Sequence, residues 1–112
     1  MPFIQKKPTK LFDARKQRKE ERGKLYATTS WRKLRLAYLQ TFPLCQLCEA
    51  AGRVTPGADV HHIHSPFVEG ESYMYEWENL LTLCKDCHGA LHGGDEEKKE
   101  QTLKIYEERK RH

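Results

Sequence analysis

The residues able to do chemistry in this chain are cysteines and histidines in short, repeated spacings. Cys45 and Cys48 are separated by two residues, and so are Cys84 and Cys87. The segment "ADVHHIHSP" places His61, His62 and His64 close together, and His88 and His92 follow the second cysteine pair, one helical turn apart. Thiolates spaced C-x2-C lie on one tight turn and can share an ion; four of them make a closed tetrahedral shell for Zn2+, with no open position for water. Such a site is structural. Histidines spaced i, i+4 on a helix lie on one face, so the imidazoles of His88 and His92 can converge on a second ion. Successive side chains on a strand point to opposite faces, so His61 and His62 cannot easily ligate the same ion. One of them can join His88 on a metal while the other faces a water, whose proton a neutral imidazole can take near pH 7. A one-metal phosphodiesterase needs that division. The plainer alternative is that the histidines are polar residues on a solvated turn and a helix surface.

The elements that must hold these residues are readable around them. In "TTSWRKLRLAYLQTF", Trp31, Leu34, Tyr38 and Phe42 recur at helical spacing, Thr29 or Ser30 can cap the helix, and Arg32, Lys33 and Arg35 form the other face. The apolar stripe is expected to pack in the core; the basic face is either solvated or turned toward phosphates. Pro43 ends that helix and delivers the chain into "PLCQLCEAAGR", a zinc knuckle. "TPGADVHHIHSP" reads as a turn followed by a short strand and "ENLLTLC" as a second strand, with the acidic, aromatic loop "FVEGESYMYEW" between them. Pro66 suggests that the first strand stops before His64, a turn residue able to approach substrate. A helix opens from "CHGALHGG" and is broken by Gly93 and Gly94. "DEEKKEQTLKIYEERKR" then has the acidic-first, basic-last order that a helix prefers.

A chain of 112 residues is one small domain, burying only about 60 to 70% of its unfolded surface, so a metal staple would help it fold. Residues 1–40 hold 12 Lys/Arg against 3 Asp/Glu, whereas residues 41–112 hold 8 against 13, so the net charge of +4 conceals a strongly basic first third. Residues 1–24 are expected to be a basic arm, flexible or partly helical, and residues 25–112 a folded domain ending in a helix. A basic arm beside a less basic module attracts a polyanion, because each phosphate neutralised releases condensed counterions. The N-terminus lacks an apolar signal region and no window approaches the roughly 20 apolar residues of a membrane span, so a cytoplasmic protein is expected. Reducing conditions there favour thiolates on a metal over disulfides.

Taken together, "WRKLR", "PLCQLC", "VHHI" and "ENLLTLCKDCH" resemble an HNH endonuclease of the ββα-metal superfamily, in its small phage-type branch with a four-cysteine zinc. The resemblance covers roughly residues 26–95, with several motifs in order and spacing. It implies an α+β fold: a small ββα-metal, treble-clef-like core with flanking helices. It implies metal-dependent hydrolysis of DNA phosphodiester bonds, by nicking or double-strand cleavage, leaving 5′ phosphate and 3′ hydroxyl ends. By the same resemblance His62 is the general base, and His61 is the metal ligand at a position where many relatives carry Asp. Asn79 is the middle N of the motif, tying the inter-strand loop, and His88 is the last H, a ligand. His92 is a third ligand, a residue facing phosphate or a bystander. With imidazole in place of carboxylate the catalytic site is softer and accepts Zn2+ or Ni2+ readily, where a carboxylate favours Mg2+ or Mn2+. Relatives in the phage branch are associated with the terminase that packages DNA, which implies the terminase large subunit as a partner.

Two readings of other classes compete. A non-catalytic, zinc-stabilised DNA-binding module explains the basic arm and the cysteines, but not why the histidines and Asn79 stand in nuclease order. A structural or assembly protein would use the arm and the acidic loop to dock other proteins. The chain has no identifiable base-reading helix, so weak sequence preference driven by phosphate contacts is expected. A monomer is the default expectation.

Overall fold

The structure, a computed structural model, describes residues 23–111. The basic arm expected over residues 1–24 falls outside these apart from its last two positions. Two compact units are present, one ending at Arg32 and one beginning at Lys33. In the first, residues 23–26 are helical, and the Thr28 hydroxyl donates to the Leu25 carbonyl at 3.1 Å while accepting the Trp31 N–H at 3.2 Å. Thr28 therefore caps helix α1, Thr29–Thr41, one residue ahead of the expected Thr29 or Ser30. It can do both because its hydroxyl bridges the end of one helical turn and the start of the next. Trp31 is buried, and its ring meets Tyr26 edge-on at 5.7 Å.

The second unit is organised by its cysteines. Cys45 is the N-cap of the short helix α2, Gln46–Ala50, and its sulfur accepts the Cys48 N–H at 3.4 Å. Cys84 repeats the arrangement at the start of α3, Lys85–His92, accepting the Cys87 N–H at 3.5 Å. In each C-x2-C pair, sulfur thus takes the place that a Ser or Asp oxygen usually fills at a helix start. Gly94, at φ +89°, follows the end of α3 in a conformation that favours glycine.

Between the two knuckles lies an antiparallel hairpin of β1, Asp59–His62, and β2, Leu80–Leu83. Its register pairs Asp59 with Leu83, Val60 with Thr82, His61 with Leu81 and His62 with Leu80. Opposed residues share a face, so Asp59, His61, Leu81 and Leu83 look one way and Val60, His62, Leu80 and Thr82 the other. All four β2 residues are fully buried. Leu81 and Leu83 join the four cysteines and Leu47 in the core, with Ile63, Leu91 and Ile105 packed against it. Gly57, just before β1, lies so close to β2 that a Cβ there would collide with the Thr82 methyl.

The C-terminal helix α4, Glu96–Arg111, carries Glu96 and Glu97 in its first turn and Arg109, Lys110 and Arg111 in its last, the charge order that its dipole favours. Asp95 accepts the Lys98 N–H at 3.1 Å and starts it. Arg109 locks it down, donating to the carbonyls of Glu78 (3.0 Å) and Leu80 (2.7 Å) and to the Tyr38 hydroxyl. Tyr38 in turn donates to the Leu80 carbonyl at 2.8 Å, so α1, β2 and α4 meet at one backbone oxygen. Among the described residues no helix is long and apolar enough to cross a membrane.

Candidate active site

Sulfur geometry defines the first candidate metal site. Cys45, Cys48, Cys84 and Cys87 are all buried and free, with their Sγ atoms within 4.8 Å of one another. Cys48 Sγ lies 3.8 Å from Cys84 Sγ and 3.7 Å from Cys87 Sγ. A tetrahedral ion with metal–sulfur bonds of about 2.3 Å requires sulfur–sulfur edges of about 3.8 Å, the length of these two edges. Hydrogen bonds from Thr55 and then Arg53 bring the Cys48 thiol down to about 6, with burial acting against them. Burial pushes the Cys87 thiol up. Arg53 Nη2 lies 3.8 Å from Cys48 Sγ, a positive charge beside the thiols.

Imidazoles define the second. His61 on β1 and His88 and His92 on α3 bring ligand nitrogens within 4.8 Å of one another. His88 Nδ1 donates to Asp59 Oδ2 at 3.1 Å. Since a neutral imidazole carries one N–H, its Nε2 must hold a lone pair. That Nε2 lies 2.9 Å from Nε2 of His92. Burial, followed by the neighbouring His88, His92 and His62, lowers the His61 pKa to about 4, so its ring is neutral and able to ligate at pH 7. Three imidazoles with ligand nitrogens this close together fit a divalent transition metal.

His62 faces away from this cluster, as strand alternation requires, and is buried. Its Nε2 donates to the Met74 carbonyl at 3.0 Å, which fixes the tautomer with the lone pair on Nδ1. Burial lowers its pKa, against the opposing effect of that hydrogen bond. Asn79, fully buried at the entry to β2, uses both ends of its amide. Oδ1 accepts the His64 N–H at 2.7 Å, and Nδ2 donates to the carbonyls of His64 and Tyr73, both at 2.9 Å. The inter-strand loop is thereby pinned at His64 and at Tyr73, the residue before His62's hydrogen-bond partner. His64 lies beyond the end of β1, its Nδ1 donating to Glu69 at 2.9 Å and its ring against Tyr73 and Tyr106. Arg32 and Lys33 are exposed on α1 and Arg35 is half-buried there; none belongs to the histidine cluster.

The family model for HNH endonucleases matches residues 45–94, a span containing both cysteine pairs and all five of these histidines. The crystal structure of the HNH endonuclease of the deep-sea thermophilic bacteriophage GVE2, with manganese ion, is 30% identical to this chain. The match covers 79% of this chain and 95% of that one, with a TM-score of 0.64. This chain belongs to the HNH endonuclease family. No curated protein matches it. As an HNH endonuclease it is a metal-dependent nuclease with DNA as substrate, and its α+β architecture is the one expected, a two-stranded hairpin followed by a helix beside a four-cysteine cluster. The competing reading of a non-catalytic module falls with that membership.

Two contributors to this HNH site escaped the sequence reading. Asp59 carried a usable signal, since two residues before His61 on a strand means the same face. The Met74 carbonyl carried none, because any residue there presents the same backbone oxygen.

Proposed function

We propose that this HNH endonuclease hydrolyses DNA with one divalent cation held by His61, His88 and His92, with His62 as general base. The observation supporting this most directly is the division between adjacent residues: His61 turns to α3, while His62 on the other face has its Nε2 bound to the Met74 carbonyl. A water gives its proton to Nδ1 of His62 as its oxygen attacks phosphorus. The bond from phosphorus to the 3′ oxygen breaks in line; that oxygen takes a proton from solvent, leaving 3′ hydroxyl and 5′ phosphate ends. When bound, the cation supplies charge neutralisation at the scissile phosphate and stabilisation of the departing 3′ oxygen. Burial keeps His62 neutral, and so able to accept a proton, at pH 7. Asn79 positions the loop that orients it, and Arg32, Lys33 and Arg35 contact the DNA backbone, a role supported by the basic charge of residues 1–40.

Cys45, Cys48, Cys84 and Cys87 hold structural Zn2+, supported by sulfur spacings that match a zinc tetrahedron. At the histidines an all-nitrogen donor set favours Ni2+ or Zn2+ over Mg2+, whereas the manganese of the phage relative supports Mn2+. The phage source of that relative supports a phage-encoded enzyme, and the reading extends to a monomer in the host cytoplasm with the terminase large subunit as partner.

Supercoiled-plasmid cleavage tests the reading. Protein with its cysteine site loaded and its histidine site stripped is given Mg2+, Mn2+, Ni2+ or Zn2+ in turn, with His62→Ala alongside. Metal-dependent nicking that the substitution abolishes is expected; a His62→Ala protein cutting at the parental rate would remove His62 as base.

A further inference from the structure

We infer that Asp59 is a positioning residue for the catalytic cation, fixing the tautomer and orientation of His88 and supplying the negative charge that the three-imidazole site lacks. The inference rests on the metal site proposed above. Asp59 opens β1 on the same face as His61, so both side chains stand over α3. Its Oδ2 accepts from Nδ1 of His88 at 3.1 Å, which commits the His88 lone pair to Nε2. Nε2 is the atom that faces His92, at 2.9 Å. Without the carboxylate, His88 is free to place its proton on Nε2 and to turn its ring, and each change must be reversed before an ion can bind.

Charge leads to the same residue. A divalent cation on three neutral imidazoles brings two positive charges into a partly buried site with no anionic ligand. Among the described residues, the carboxylate that hydrogen-bonds a histidine of this triad is Asp59, one imidazole removed from the ion. A carboxylate behind a ligating histidine raises the ligand's basicity, and losing such a partner typically weakens metal binding about 10- to 100-fold. The competing account makes this an ordinary ion pair joining strand to helix. Asp59 and His88 are 34% and 27% exposed in their side chains, a setting in which an ion pair alone adds little to stability.

The two accounts separate when the cation is measured directly. Mn2+, which leaves the thiolate site alone, is titrated into zinc-loaded protein and the unbound ion is followed by its electron paramagnetic resonance signal. Asp59→Ala is expected to weaken Mn2+ binding about 10- to 100-fold. Asp59→Asn, whose Oδ1 still accepts from Nδ1 but carries no charge, is expected to fall between it and the parent. Asp59→Ser, too short to reach His88, takes the place of the alanine variant if that one does not fold. Affinity within twofold of the parent in the alanine or serine variant overturns the inference and leaves the ion pair as structural. His88→Ala is the control for the site itself. If it binds Mn2+ like the parent, the proposed histidine site is wrong; if it loses Mn2+ while Asp59→Ala does not, only the role of Asp59 is wrong.

Discussion

Nε2 of His62 donates to the carbonyl of Met74 at 3.0 Å, and Asn79 holds the preceding carbonyl, that of Tyr73, at 2.9 Å. The position of the proposed base is thus set by a backbone oxygen whose own position is set by a buried amide. Asn79→Ala should leave the His64 N–H and two carbonyls without their partner, costing about 2–4 kcal/mol in urea unfolding. Because the Met74 carbonyl is released with them, kcat should fall by roughly tenfold or more while KM changes little. Asn79→Asp should do no better, since it replaces a donor to two carbonyls with a carboxylate. A variant that loses stability but keeps kcat would confine Asn79 to folding.

His62 should show itself in the pH profile of cleavage. Its pKa is lowered chiefly by burial, so the neutral, proton-accepting form persists below the ordinary value of 6.5. At saturating metal the acid limb of kcat should therefore have its midpoint below 6.5. His62→Ala should lower kcat about 10²- to 10⁴-fold, the usual contribution of a general base. A limb centred well above 7 would point to a different base.

Acid should destabilise the protein when the histidine site is metal-free. His61 is brought to about 4, first by burial and then by its histidine neighbours, so the folded state takes up its proton less readily than the unfolded chain. Its contribution is complete above 6.5 and is lost as pH falls toward 4. Urea midpoints measured from pH 7 down to 4 should fall across that window. Saturating Mn2+ should raise the midpoints at pH 7 and lose its effect as protons displace it.

Removing the ion from the cysteine site should unfold the second unit. Its core includes Cys45, Cys48, Cys84 and Cys87 themselves, with Leu47, Leu81 and Leu83 packed among them. Native mass spectrometry should find one Zn2+ held there, and a strong chelator should abolish both that mass and the far-ultraviolet helix signal. Cys48→Ser should behave like the chelated parent. Retained helix after complete zinc removal would show that apolar packing alone suffices.

Arg109 offers a test away from either metal site. It satisfies the Glu78 and Leu80 carbonyls and reaches the Tyr38 hydroxyl. Arg109→Ala should cost about 2–3 kcal/mol in unfolding free energy. Arg109→Lys should recover only part of this, because a single ammonium does not reproduce the planar fork. Equal stability of all three proteins would show that α4 is held by its apolar contacts instead.

Much of this molecule follows from local spacing. C-x2-C makes two knuckles, Gly94 marks the end of α3, acidic and basic ends mark α4, and alternation sends His61 and His62 to opposite faces, all within a few residues of chain. The helix cap was already less certain, because Thr28, Thr29 and Ser30 are each suitable by type and only the path of the chain before them chose Thr28. What tertiary structure alone decided is convergence. The hairpin register and the packing of α3 bring His61 to His88 and His92, place Asp59 behind His88, and set the Met74 carbonyl against His62. Such contacts join residues distant in sequence, and one is made by backbone, which every residue type carries alike. The sequence therefore determined which groups were available and on which faces they stood. The packing of hairpin against helix decided which of them come together and which one hydrogen-bonds another.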